Sequence, residues 1–206
     1  VKRQQKKRRK EMTDFVYDPR GVIEVEAIPM AARPTSTEGL RLGVLSNTKW
    51  NAAKLLRATV RELADHGLTF ASVTCYDKHH FSSDASNEVI SQIAAENDIA
   101  LTAIGDCGSC CSACVNDAVR LEEAGLPTVV IVTTEFEHEA RLQRESRGMA
   151  DLEPAIVTHP ISSLTLEQLD GRAAEVAPQA RRIWFTAAAA ARGNGSAAEV
   201  FEPANK

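Results

Sequence analysis

The sequence predicts an α/β fold: an open, mainly parallel sheet of about five strands with helices on both faces. Three observations point to it. Short β-prone runs alternate with segments whose apolar residues recur at helical spacing. The strand runs are apolar throughout, as strands covered on both faces require, and do not alternate with polar residues. Turn residues close the helical stretches, Gly67 after the first and Gly125 with Pro127 after the third.

Residues 1–39 read as a basic N-terminal arm and lead-in segment. Seven Lys or Arg and one acid fall in the first twelve residues, which leaves about −10 on the rest of a chain whose total is −4. The arm offers a place for an anionic surface or a partner subunit, or forms a solvated tail. On so acidic a body, nucleic acid is expected only through that arm. A turn over 17–21, a short strand over 22–25, and Pro29 and Pro34 complete the lead-in.

Residues 40–192 read as the α/β catalytic domain. A strand over 42–45 is followed by the polar break Ser46-Asn47-Thr48-Lys49 and a helix carrying Leu55, Leu56, Val60 and Leu63. A second strand over 70–75, a loop over 77–83 and a helix over 87–96 repeat the unit. The third strand, 99–104, is broken by Gly105-Asp106-Cys107, and a helix then runs to Gly125. A fourth strand over 128–132 is the most β-prone stretch, followed by a charged helix over 136–147 and a fifth strand over 155–158. From 164 onward, through the alanines at 187–191, one or two helices broken near Pro178 are expected, and 193–206 reads as a loose tail. This alternation belongs to the Rossmann or flavodoxin-like type of architecture. With no apolar run near the ~20 residues of a membrane span and no secretory-type apolar segment at the start, a cytoplasmic protein without a membrane partner is expected.

Chemistry is expected beyond the carboxyl ends of the strands, where loops and helix starts converge. Cys107, Cys110, Cys111 and Cys114 gather in one such loop and the helix after it, while Cys75 stands apart. Adjacent cysteines cannot form a loop-closing disulfide framework, so clustering points to reactivity or metal binding. At a strand-to-helix turn, Cys107 would meet unpaired backbone N–H groups and a positive helix end, which favour its thiolate. Cys110, three residues on, suits a resolving thiol. A helix starting near Cys107 would put all four sulfurs on one face, so zinc or an iron–sulfur cluster on Cys107, Cys110, Cys111 and Cys114 is the alternative. One ion with bonds of about 2.3 Å hardly reaches four sulfurs spread along seven helical residues, which favours thiol chemistry.

Around the thiols, Asp106, His80 and His159 are candidate acid–base groups. Asp106 also suits the cap of the following helix, and Glu135 has the same standing. Ser46, Asn47 and Lys49 are expected to bind an anionic part of a small polar substrate. Gly105, Gly108, Ser109 and Glu135 complete the expected substrate site, the glycines allowing close backbone approach.

The segments 45–52, Gly105-Asp106-Cys107-Gly108-Ser109-Cys110, Asn116-Asp117-Ala118-Val119 and 125–130 resemble the UGSC family of selenoproteins and their cysteine forms. The resemblance covers about 33–162. In many members selenocysteine stands where this chain has Cys107. More distantly, the cysteine loop, its helix and the 124–131 stretch are similar to catalytic selenoprotein subunits of glycine and proline reductases, which cleave carbon–nitrogen bonds reductively. Cys111, Cys114 and Asn116 depart from that pattern. The resemblance implies an oxidoreductase or reductive-cleavage subunit in which Cys107 attacks and Cys110 resolves. It also implies an external dithiol reductant and a homo- or hetero-oligomer, with a related subunit as one candidate partner. Two alternatives from other classes are a metal- or Fe–S-binding subunit of a larger complex and a thiol redox sensor.

Overall fold

The structure is a computed structural model that describes residues 25–186. Strands β1 (Arg41–Ser46), β2 (Ser72–Asp77), β3 (Ile99–Gly105), β4 (Thr128–Thr133) and β5 (Ala155–Val157) form one parallel sheet. Their order is β2-β1-β3-β4-β5, which is the flavodoxin-like arrangement. Helices α1 (Ala52–Asp65) and α5 (Leu166–Phe185) cover one face. Helices α2 (Asn87–Glu96), α3 (Gly108–Glu123) and α4 (Glu137–Ser146) cover the other. No helix among the described residues is long and apolar enough to cross a membrane.

Burial follows position in the sheet. Strands β3 and β4 are buried at every residue and β1 at all but its first, so both faces of the sheet centre lie in apolar surroundings. Strand β2 is an edge strand with four of its six residues exposed, and it lies at 72–77 where 70–75 was expected. Phe70 falls outside the strand because it packs on the α1/α5 core, edge-on to Trp184. The other edge is blunted: the Gln179 side chain accepts from Ile156 N at 2.9 Å and donates to Ile156 O at 2.7 Å, in place of a sixth strand.

Pro178 does not break the C-terminal helix, contrary to expectation. Leu169, Ala173, Val176 and Ala177 before the proline and Ala180, Ile183 and Trp184 after it form one buried stripe. The Trp184 indole donates to Ala100 O at 3.0 Å. Burying that stripe outweighs the roughly 3 kcal/mol that an internal proline costs. The expected arm at 1–12, nearly all of the 22–25 strand, the alanine run and the tail lie outside the described residues. Val25, the last residue of that strand, is not in a strand.

The described lead-in is tied down. Ile28 and Met30 pack against α3 and α4, and Arg33 donates to Glu122 on α3 at 2.7 Å and 3.0 Å. Glu122 is sealed from solvent and also accepts from Ala31 N and Thr128 N. One buried carboxylate therefore joins the lead-in, α3 and the start of β4.

Candidate functional site

In this arrangement the chain direction switches between β1 and β3, and the crevice beyond their carboxyl ends is where such sheets place ligands. Strand β1 ends at Ser46 and β3 at Gly105, so the Lys49 loop and the Cys107 turn share that crevice. The strand order thus unites segments nearly sixty residues apart.

Cys107 is the N-cap of α3, in extended backbone, and its carbonyl accepts the first helical bond from Cys111 N at 2.9 Å. Its side chain is half-buried, whereas Cys110, Cys111 and Cys114 are buried. The Cys107 and Cys110 sulfurs lie 2.7 Å apart with no disulfide between them. Lys49 Nζ lies 3.5 Å from Cys110 Sγ and 3.8 Å from Asp106 Oδ2. Desolvation works against ionisation of Cys107, but hydrogen bonds from the Cys110 thiol, Cys110 N–H and Ser109, with the charge of Lys49, outweigh it. The Cys107 thiol is thereby lowered from its ordinary range.

The neighbouring thiols go the other way. Burial pushes Cys110 up to about 11, assisted by its hydrogen bond to Cys107. Burial also pushes Cys111 up to about 12, assisted by Glu139, and raises Cys114 further still. Desolvation alone would lower Lys49, but the nearby sulfurs and Asp106 hold it above its ordinary value. One sulfur of the cluster is thus made acidic and the other three are kept protonated. Cys111 donates to Phe136 O at 3.6 Å, and Cys114 accepts from Asn47 Nδ2 at 3.3 Å. Their sulfurs therefore face different neighbours. Among the described residues no group of three or more His, Cys, Asp or Glu is placed to hold a metal ion.

Asp106 does not cap α3, as had been expected. Its buried carboxylate accepts from Ile161 N and Ser162 N at 3.3 Å each and from Ser162 Oγ at 2.7 Å. His159 Nδ1 lies 2.9 Å from Asp106 Oδ1 and 3.0 Å from Thr133 Oγ1. With Nδ1–H donating to that carboxylate, Nε2 is the ring nitrogen left without a partner among the described residues. Phe136 packs beside the ring at 5.9 Å between centroids. Ser162 and Phe136 were missed by sequence reasoning. Ser162 and Asp106 are 56 positions apart, and no local spacing links them.

Several expected substrate contacts are corrected. Ser46 is buried, and its hydroxyl accepts from Thr48 N. Asn47 is fully buried and donates to Ile104 O and to the Cys114 sulfur, so it fastens β1 to β3 and α3 and is not open to a ligand. Lys49 turns its ammonium to the thiols and Asp106, where an incoming anion had been expected. Gly105 is buried, and a Cβ there would lie 3.1 Å from Val132 and 3.2 Å from Cys111, so its bareness lets α3 approach the sheet and does not serve a ligand. Gly108, Ser109 and Glu135 are exposed at the rim. His80 is exposed and engages its own loop, through Ser82 and by stacking on Phe81. Lys78, in the loop that follows β2, is buried against Asp117 at 2.6 Å.

A cleft of about 750 Å³ lies between α4, the segment before β5 and α5, lined among others by His138, Arg141, Arg144 and Gln179. None of the four clustered cysteines lines it, so volume and chemistry point to different places here. The chemistry is the better guide, because among the described residues perturbed thiols, a cation and an oriented imidazole converge at the switch point alone.

The UGSC family model matches residues 15–186. No curated protein matches the chain. Among solved structures, a diflavin flavoprotein A3 from Nostoc sp. is 9% identical, covering 70% of this chain and 96% of its own, with a TM-score of 0.36. A flavodoxin-like domain from Synechococcus sp. is 10% identical, covering 68% and 99%, with a TM-score of 0.36. A short-chain flavodoxin associated with a non-canonical PDU bacterial microcompartment is 11% identical, covering 68% and 99%, with a TM-score of 0.37.

Proposed function

The chain belongs to the UGSC family, and from that premise we propose that it is a thiol-dependent redox enzyme subunit that reductively cleaves a small polar electrophile. The observation that carries this reading is the Cys107–Cys110 sulfur contact of 2.7 Å with Lys49 Nζ 3.5 Å from Cys110. The Cys107 thiolate attacks the substrate carbon and displaces a leaving group, which takes a proton from His159 Nε2. Cys110 then attacks the Cys107 sulfur. The carbon–sulfur bond breaks, the carbon fragment departs with the bonding pair and is protonated, and a Cys107–Cys110 disulfide remains. Carbon has gained two electrons, and the thiol pair has lost them.

The electrostatics support this order of events. Cys110 is held protonated partly by its hydrogen bond to Cys107 and by the charge on it. Once Cys107 is bonded to carbon, those contributions vanish while burial and Lys49 stay, so the cost of ionising Cys110 falls at the step that needs it. An external dithiol must then restore the pair.

The test uses Cys75, an exposed thiol outside the cluster, as an internal reference. At pH 7, limiting iodoacetamide should label Cys107 well before Cys75, and mild oxidation should give one intramolecular disulfide joining Cys107 to Cys110. Labelling of Cys107 no faster than Cys75, or a first disulfide that omits Cys107, defeats the proposal.

A further inference from the structure

Resting on the disulfide reading above, we propose that the outer face of α1, with the cleft it forms against the start of α5, docks the reductant: a protein dithiol whose active surface is acidic. Outside the first twelve residues the chain is strongly acidic, so composition does not lead one to expect cations gathered on one face. Yet Lys54, Arg57 and Arg61 stand at offsets of three and four along α1 and line one cleft of about 540 Å³. The acid in that lining is Asp170, and Arg61 already engages it at 2.5 Å. Arg57 is exposed and has no hydrogen-bond partner among the described residues.

Apolar anchors lie among these cations. Leu166 in the cleft is 66% exposed, and Trp50, just before α1, is 70% exposed with Lys54 Nζ 4.9 Å from its ring centre. Tryptophan and arginine set together in this way are what protein interfaces concentrate. The presenting loop is fixed in advance. Asn51 takes a left-handed φ of 70°, and its Nδ2 donates to the carbonyls of Ile161, Ser162 and Leu164. Little ordering entropy is therefore lost when a partner binds. Lys49, two residues before Asn51, reaches the thiols, so one short loop links the thiol pair to the start of the cationic helix.

Docking there brings a partner thiolate to Cys107, the more exposed sulfur of the pair. Attack on Cys107 Sγ forms a mixed disulfide and releases Cys110 as a thiolate beside Lys49. The partner's second thiol then attacks its own bridged sulfur and frees Cys107. Two electrons and two protons pass from the partner dithiol to the Cys107–Cys110 disulfide, and the partner leaves oxidised.

The test compares two reductants on the oxidised full chain: a reduced thioredoxin of acidic isoelectric point, and dithiothreitol. The double variant Arg57→Glu/Arg61→Glu should slow reduction by thioredoxin about tenfold or more at low salt and leave the dithiothreitol rate unchanged. The wild-type thioredoxin rate should fall steeply with ionic strength, and the variant's should not. The control Arg147→Glu, on the exposed end of α4, should change neither rate. Equal slowing with both reductants, no slowing with thioredoxin, or slowing by Arg147→Glu as well overturns the docking surface while leaving the disulfide reading intact. A changed sedimentation coefficient with an unchanged rate overturns it too, by giving the face to a second copy of the chain. Failure of wild-type protein to form the Cys107–Cys110 disulfide overturns both.

Discussion

Cys107 and Cys110 are chemically alike and three residues apart, yet one is lowered and the other pushed up to about 11. The difference lies first in burial, which weighs more on the enclosed Cys110, and then in the contact between the two sulfurs, which favours ionisation of Cys107 and opposes that of Cys110. Because the thiolate is the nucleophile, a lowered value raises its population at pH 7. The alkylation rate of Cys107 should therefore rise through a midpoint below that of an ordinary thiol, about 8.5, then level off. Lys49→Met should move that midpoint upward and slow labelling at pH 7, as rate-against-pH profiles would reveal. His159→Gln should leave the profile in place, because His159 is not among the groups that set Cys107, while turnover should fall through loss of the proton donor. A parallel shift in both variants would mean that the imidazole activates the thiol directly. The sequence marked Cys107, Cys110, Asp106 and His159, since reactive residue types after strand ends are visible along the chain. It misjudged Asn47 and Lys49, because whether a polar side chain faces ligand or protein depends on what packs against it.

Among the elements, α3 makes the most demanding contact. It packs so closely on the sheet that a Cβ at Gly105 would force Val132 and Cys111 to give way. Gly105→Ala should destabilise by about 1–3 kcal/mol through overpacking, read as a lower urea midpoint, and should disturb the Cys107 turn next to it. Glu122, also on α3, is the buried acid shared by Arg33, Ala31 and Thr128. Glu122→Gln leaves the Arg33 guanidinium buried without its counter-charge and should cost about 3–5 kcal/mol. Thermal unfolding of the variant beside wild type checks this, and a loss below about 1 kcal/mol would show that the lead-in contributes little. The elements themselves were mostly legible: α2 falls at the expected residues, and the starts of β3, β4 and β5 agree. The misplaced β2 and the unbroken α5 share one cause. Tertiary contacts at Phe70, and along the stripe flanking Pro178, outweighed local propensity.

For the molecule as a whole, buried thiols tie stability to alkaline pH. Cys110 and Cys111 are pushed up to about 11 and about 12, so their folded values lie above the unfolded one. Their contribution is whole below pH of about 8.5 and is lost as pH rises through those folded values, by at most about 1.4 kcal/mol per pH unit for each thiol. Urea midpoints should therefore fall between pH 9 and 11, and Cys111→Ala should make the decline shallower. An equal slope in wild type and variant would mean that this thiol plays no part. What the sequence determined by itself was the layered parallel architecture and the sulfur proposed to react. Both rest on local signals: hydrophobic period, turn residues, and reactive side chains clustered within a few positions. Only the tertiary structure decided which groups serve that sulfur. Lys49, Asp106, Thr133, His159 and Ser162 come from four separate loops or strand ends, and they meet because strand order, which no short segment encodes, lays β1 beside β3 and β4 beside β5.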